Sequence, residues 1–315
     1  MSKRLIIDLN QQKYMEIRKL QLIGGSSYMV SLPKSWIDAN SLKKGDELVL
    51  HVDAKYIRIH PKNTRHVLRG KIKLRRCDYS FLKRFIHSIY VQGLDEVILE
   101  GDFNNCSITR ISDIARNLMG LEIIDAREDR VVLKCIAEAN LAEIMNRFSQ
   151  IVSNMFNLLK RGLKKKDSRE FKDIVKLERD ADRLYMLAVR KTNKMLKEFS
   201  CPTDWDELRF MLGMRTVSKH MEDIADLVYS FSTKVSSNPE GFSTYIPSVS
   251  EAKRLFENAY CAYVNSDVNL AEETINATEQ LQKVASGEML CISMQIRGIG
   301  EIAFNKAVRE EMYVD

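Results

Sequence analysis

No stretch of this chain approaches the roughly 18 to 20 uncharged apolar residues that a membrane-spanning helix needs, so direct membrane insertion is not expected. Its charged start, MSKRLIIDLNQQKY, holds only Leu5-Ile6-Ile7 as an apolar run. That is too short for a signal-peptide core, so export is not expected and a cytoplasmic location is. Six cysteines stand roughly 30 to 65 residues apart, with no CxxC or other zinc-type spacing. They read as reduced, packed thiols. The five histidines form no HxxH, HExxH or Glu-x-x-His pattern. The last of these absences sets aside a ferritin-type di-iron oxidase. No nucleophile elbow, P-loop, dinucleotide-binding or kinase signature occurs. Gly93, Gly101 and Gly120 fall at element ends, where turns want glycine. With neither a general acid or base nor an open coordination position to name, no enzyme is expected.

What the chain does have is unevenly placed charge. The net charge is +6 over 315 residues, and residues 1–65 hold twelve Lys/Arg against six Asp/Glu. The other 250 residues balance at 37 of each sign. All the excess positive charge therefore lies in the first fifth of the chain, the arrangement a phosphate-backbone contact requires. A merely solvated basic face would look the same at this level.

Three regimes of sequence predict a multidomain α+β protein, divided at 14–65, 66–138 and 139–315. In the first, Glu16–Ile23 and Ser26–Leu32 are predicted strands around the Gly24-Gly25 turn. Pro33 opens a short helix over Lys34–Asn40, and Glu47–Val52 and Tyr56–His60 form a hairpin. About fifty residues of short strands make too small a core to stand alone, which a dimer sharing strands would remedy. The second regime predicts a βαβαββ order: strands at Val67–Leu74, Glu96–Glu100, Leu121–Asp125 and Arg130–Ile136, with helices at Tyr79–Val91 and Ile108–Met119. From Leu141 onward six helices are predicted, near 141–163, 167–199, 204–236, 249–266, 268–286 and 288–314. Breaks are expected at Gly162, Cys201-Pro202, around 238–241, at Pro247 and at Gly287. Their lengths fall loosely into two groups of three, as an internal duplication would give.

The helical part holds two Glu-x-x-x-Asp spacings, Glu178 with Asp182 and Glu222 with Asp226. One helical turn separates the members of each pair, so both carboxylates share a face. Like charges at that spacing repel by a few tenths of a kcal/mol, a cost that a bridging cation reverses. Wound at 100° per residue, Glu178 and Asp182 fall among Phe171, Val175, Tyr185 and Val189. Lys176, Arg179, Arg183, Arg190 and Lys194 cluster on the opposite half. Carboxylates in apolar company point to a buried or metal-facing pair. Glu222 and Asp226 point away from the stripe of Phe210, Val217, Met221, Ile224, Val228 and Phe231. They share their face with Arg215 and Lys219, where a salt-bridged surface fits equally well. The fourteen methionines sit at core-type helical positions and read as packing.

Two segments resemble known families. Lys19-Leu20-Gln21, Gly24-Gly25-Ser26-Ser27, Ser31-Leu32-Pro33-Lys34-Ser35-Trp36 and Lys44-Gly45-Asp46-Glu47 resemble the AbrB/SpoVT swapped-hairpin DNA-binding domain. The resemblance implies an interlocked homodimer on double-stranded DNA, with Arg18, Lys19, Gln21, Ser27 and Lys34 facing the duplex. Residues 141–314 are similar to the PhoU family of phosphate-uptake regulators, two three-helix repeats forming a six-helix bundle. Glu178-Arg-Asp-Ala-Asp182 and His220-Met-Glu222-Asp-Ile-Ala-Asp226 match that family's E(D)xxxD motifs, which implies bound iron, zinc, magnesium or another divalent or trivalent metal ion. The second repeat departs from the pattern: Asn276 and Gln280 stand near expected acids, and Ile299-Gly300-Glu301 replaces an Ile-Gly-Asp-like segment. One metal cluster is therefore expected rather than two. The two ends around a small α/β segment resemble archaeal PhoU-domain regulators. The resemblance implies a DNA-binding transcription regulator of phosphate homeostasis. Its alternative is a peripheral adaptor on a phosphate ABC transporter or sensor protein, with the β head used only to dimerise.

Overall fold

The computed structural model describes residues 16–52, 57–62, 67–103, 108–137, 139–166, 168–198, 205–237 and 241–312. The chain forms two compact units, one up to residue 66 and the other from Val67 onward. The sequence boundary at 138/139 thus runs inside the second unit.

In the first unit, β1 (Gln21–Ile23) and β2 (Ser27–Met29) form an antiparallel hairpin. Gly24 and Gly25 close it with φ of 63° and 76°, a conformation glycine adopts without a Cβ clash. The predicted strands are longer than those observed. Gln21 pairs with Met29, so residues 16–20 have no strand opposite them among the described residues. Helix α1 (Lys34–Ala39) follows Pro33, and β3 (Leu48–Val52) pairs antiparallel with β4 (Ile57–Pro61). Across β3 and β4 the His51 and His60 rings stack, their Nε2 atoms 3.0 Å apart. Among the described residues of this unit only Pro61 is buried. Ile17, Leu20, Leu22, Tyr28, Leu50 and Val52 are all exposed, Val52 to 74%.

The second unit begins with the expected alternation: β5 (Arg69–Lys73), α2 (Tyr79–Val91), β6 (Glu96–Glu100), α3 (Ile108–Arg116), β7 (Leu121–Ala126) and β8 (Arg130–Cys135). The strands order as β5-β6-β8-β7, with β5 parallel to β6 and the other pairs antiparallel. Alternate residues Val97, Leu99, Val131 and Leu133 are buried in one core with Leu82 and Ile86 of α2 and Ile111 and Ile114 of α3. Helix α3 stops short of the predicted Met119. Its end tightens into i to i−3 bonds at Asn117 and Leu118 on the way to Gly120, whose φ is 72°.

Among the described residues six long helices follow: α4 (Leu141–Lys165), α5 (Ser168–Glu198), α6 (Trp205–Ser236), α7 (Ile246–Asn265), α8 (Val268–Val284) and α9 (Gly287–Glu311). The first three pack on one another, as do the last three, and the halves join through α4 with α7 and α6 with α9. Two expected breaks are absent. Gly162 lies inside α4, where a Cβ would stand 2.6 Å from the Phe171 ring; glycine there lets α5 approach. Pro247 sits in the first turn of α7, where a missing N–H costs no hydrogen bond.

Helix α2 docks on the C-terminal part of α5. Buried Arg190 donates to the Tyr90 and Leu94 carbonyls at 2.8 and 2.6 Å and lies over the Tyr90 ring. Asn193 donates to the Val91 carbonyl, and Lys194 pairs with Asp95 at 2.5 Å. Gly93, at φ 77°, presses so close to Lys194 that a Cβ would meet its backbone nitrogen at 2.7 Å.

Candidate metal centre

Glu178 and Asp182 project from neighbouring turns of α5 toward Asp226 on α6. One carboxylate oxygen from each of the three lies within 4.8 Å of the others. A single cation about 2.0–2.6 Å from each oxygen can span such a gap, and all-carboxylate donors suit a hard ion. The residues present therefore fit a metal. Glu178 is half-buried, while Asp182 and Asp226 open to solvent.

The local electrostatics are those of crowded acids. Desolvation, then the charges of Glu178 and Glu222, push Asp182 up to about 6. Desolvation and the Asp226 charge raise Glu178, and desolvation with Asp182 raises Asp226. The ammonium of Lys83, on α2, acts in the opposite direction on Glu178 and Asp182. No sequence spacing links Lys83 to α5; only the docking of α2 brings it near.

Glu222 is divided from its partner. Its carboxylate pairs with Lys219, which also donates to Asp223 at 2.7 Å. Burial still raises Glu222 in spite of that ammonium. Lys219 itself is raised: burial opposes its charge, but hydrogen bonds to Asp223 and Glu222 outweigh it. Of the four sequence candidates, three converge, and Glu222 stands beside them paired with Lys219.

Residues 145–235, which span this cluster, match the family model of the PhoU domain. Residues 21–65 match a second model, that of MazE, the bacterial antitoxin of antidote-toxin recognition. Among solved structures, PhoU from Pseudomonas aeruginosa is similar at 13% identity and a TM-score of 0.45, over 53% of this chain and 92% of that one. No curated protein matches the chain.

Beyond the matched stretch, the second three helices differ in chemistry. Asn276 donates to Glu272, Gln280 accepts from Lys283, and Glu301 is held by Arg297 at 2.8 Å. No second group of three metal-type ligands comes together among the described residues. In the MazE-matching segment and the residues just before it, Arg18, Lys19, Gln21, Ser27 and Lys34 are all exposed. Arg18 pairs with Glu16, Gln21 opens β1, Ser27 opens β2 opposite Ile23, and Lys34 begins α1. No helix among the described residues is long and apolar enough to cross a membrane.

Proposed function

We propose that this protein is a non-enzymatic phosphate-homeostasis regulator that binds double-stranded DNA as a homodimer through its first unit, and holds a cation in its PhoU domain. The observation that carries the reading is the union, on one chain, of a PhoU-matching segment with a MazE-matching one. That second segment lies in the stretch holding all the excess positive charge. The exposed apolar side chains of the first unit supply the reason for a dimer. Leu20, Leu22, Tyr28, Leu50 and Val52 have no core of their own to enter, and a second copy would cover them.

The test is fluorescence anisotropy of the full chain on duplex DNA from its own upstream region and on a scrambled duplex, titrated with salt. Binding that prefers the native sequence and falls steeply with salt is expected, because each neutralised phosphate releases a counterion. Arg18→Ala with Lys19→Ala should abolish it while light scattering still reports a dimer. Absence of binding even at low salt would leave the first unit a dimerisation device. The protein would then be read as an adaptor on a phosphate transporter or sensor.

The cation is tested separately. Metal content of about one ion per chain should disappear in Glu178→Gln with Asp182→Asn, whatever the DNA result. When bound, iron, zinc or magnesium would neutralise Glu178, Asp182 and Asp226 and tie α5 to α6. A metal-free, normally folded wild type that takes up none of these ions would end this part of the reading.

A further inference from the structure

At the corner where α4 turns into α5, positive charge collects that the rest of the second unit does not have. Residues 160–176 hold eight Lys/Arg against three Asp/Glu, while residues 66–315 taken together balance. The remainder of that stretch is therefore net negative by as much as this corner is positive. Seven of the eight cations are exposed, and Lys160 is half-buried.

The acids of the corner are too few to answer them. Glu170 takes both Arg161 and Lys165, at 3.0 and 3.3 Å, and Asp173 takes Lys176 at 2.9 Å. On α7, which packs beside α4, Glu251 and Glu257 are held by that helix's own Arg254 and Lys253. No carboxylate among the described residues pairs with Lys160, Lys164 or Lys172.

Ordinary helix chemistry accounts for only part of the cluster. Lys164 and Lys165, in the last turn of α4, complement the helix dipole. Arg169 and Lys172 stand in the opening turns of α5, the positive end of that helix, where the dipole works against them. Lys166 caps α4 at φ 54°, a left-handed conformation that glycine or asparagine takes at less cost. Three cations thus occupy positions where local preference favours another residue. Such departures from the local rule are expected where a function uses the side chain.

The kind of charge and its setting say what it fits. The corner is the turn of a helical hairpin, and Leu163, Phe171 and Ile174 are buried, so it offers charge with no large apolar side chain to insert. Six of the eight cations are Lys, compact charges on flexible stems, whereas Arg supplies bidentate grips on single phosphates. The α/β part of this unit docks at Arg190 and Lys194, about 40 Å from the start of α5 at the usual rise per residue, and leaves the corner uncovered.

We propose that the α4–α5 corner is an electrostatic docking surface for an anionic lipid membrane. A diffuse negative surface answers many lysine charges at once and asks for neither a groove nor an inserted side chain. The contact is peripheral and reversible, and it fades as salt screens it.

The experiment is co-sedimentation of the full-length protein with vesicles, titrated with salt. One set is phosphatidylcholine alone; the other is phosphatidylcholine and phosphatidylglycerol in equal parts. Binding to the mixed vesicles alone, falling as salt rises, is expected. Lys164→Gln with Lys165→Gln and Lys172→Gln should weaken it roughly a hundred-fold, about five-fold for each cation lost, with helicity unchanged by circular dichroism. Lys164→Arg with Lys165→Arg and Lys172→Arg should bind as the parent does, which separates charge from any disturbance of the helices. Absence of binding to the mixed vesicles at low salt overturns the proposal, as does equal binding to phosphatidylcholine alone. Binding that the Gln variant keeps also overturns it, since the basic first unit then supplies the attraction. A Gln variant that loses duplex DNA binding as strongly as vesicle binding makes the corner a nucleic-acid contact and overturns it as well.

Discussion

Between Glu178 and Asp182, α5 gathers carboxylates that raise one another's pKa, and Asp226 of α6 joins them. About two turns further along, from Arg190 onward, the same helix gathers cations of which three are matched: two carbonyls for Arg190, a carboxylate for Lys194, the Gln92 carbonyl for Lys197. Both stretches are charged and helical, and residue type alone does not separate them. What differs is the partner surface. The cation end meets the turn after α2, which presents carbonyls and Asp95; the acid end meets another acid on α6. A charged stretch whose partners answer it holds the fold together, and one whose partners repeat its charge is left able to take up an ion.

The largest expected effect is at the matched end. Arg190→Ala leaves the Tyr90 and Leu94 carbonyls without that donor and removes the guanidinium from the Tyr90 ring. Loss of about 3 kcal/mol is expected by urea denaturation, since two charge-assisted bonds go from a buried place. A loss under about 1 kcal/mol would mean that water replaces the guanidinium and that this end is as open as the other.

Asp95→Asn tests the next link and should cost about 1–2 kcal/mol, because Asp95 accepts from the Leu68 amide at 2.9 Å as well as from Lys194. The pH dependence has a definite sign. Burial works to raise Asp95, but its bonds to Lys194 and Leu68 hold it below the ordinary 3.8. The stabilisation is therefore present above that value and is lost as pH falls through the lower folded one. Asp95→Asn should flatten this acid limb in thermal melts. An acid limb identical to that of the parent would remove Asp95 from the account.

Much of this was legible beforehand, and the exceptions share a cause. Periodicity located the helices that carry the site and the βαβαββ order, because those signals are local. The Glu-x-x-x-Asp spacing named three residues that do converge, since one turn of helix fixes their common face. It could not tell that Glu222 would be taken by Lys219 while Asp226 crossed to α5; that depends on how α6 is rotated against its neighbour. The cationic half of α5 read as one face, yet Arg190 is 5% exposed and serves as a docking residue. Lys83 was invisible for the same reason: α2 and α5 lie far apart in sequence. Gly162 reads as a helix stop by propensity, and only the Phe171 ring against it explains a glycine in mid-helix.

The smallest effect is the sharpest test of the comparison, because its sign is opposite. In the metal-free protein Asp182 is raised from 3.8 to about 6. Between those values the folded chain keeps a proton that the unfolded chain has released, so rising pH costs stability across that window and the loss is complete above it. Solvent reaches Asp182, which keeps the effect to a few tenths of a kcal/mol. Asp182→Asn removes the repulsion, so the metal-free variant should melt slightly above its parent at about pH 7 and level with it near pH 4. Adding a divalent cation should reverse the order, raising the parent's Tm more than the variant's, because only the parent keeps three carboxylates for the ion. If the metal-free parent melts at one temperature across the window, Lys83 and Lys219 already balance the acids. The two ends of α5 would then be alike, each a closed set of charges, and the acid end would have no capacity to spare for a cation.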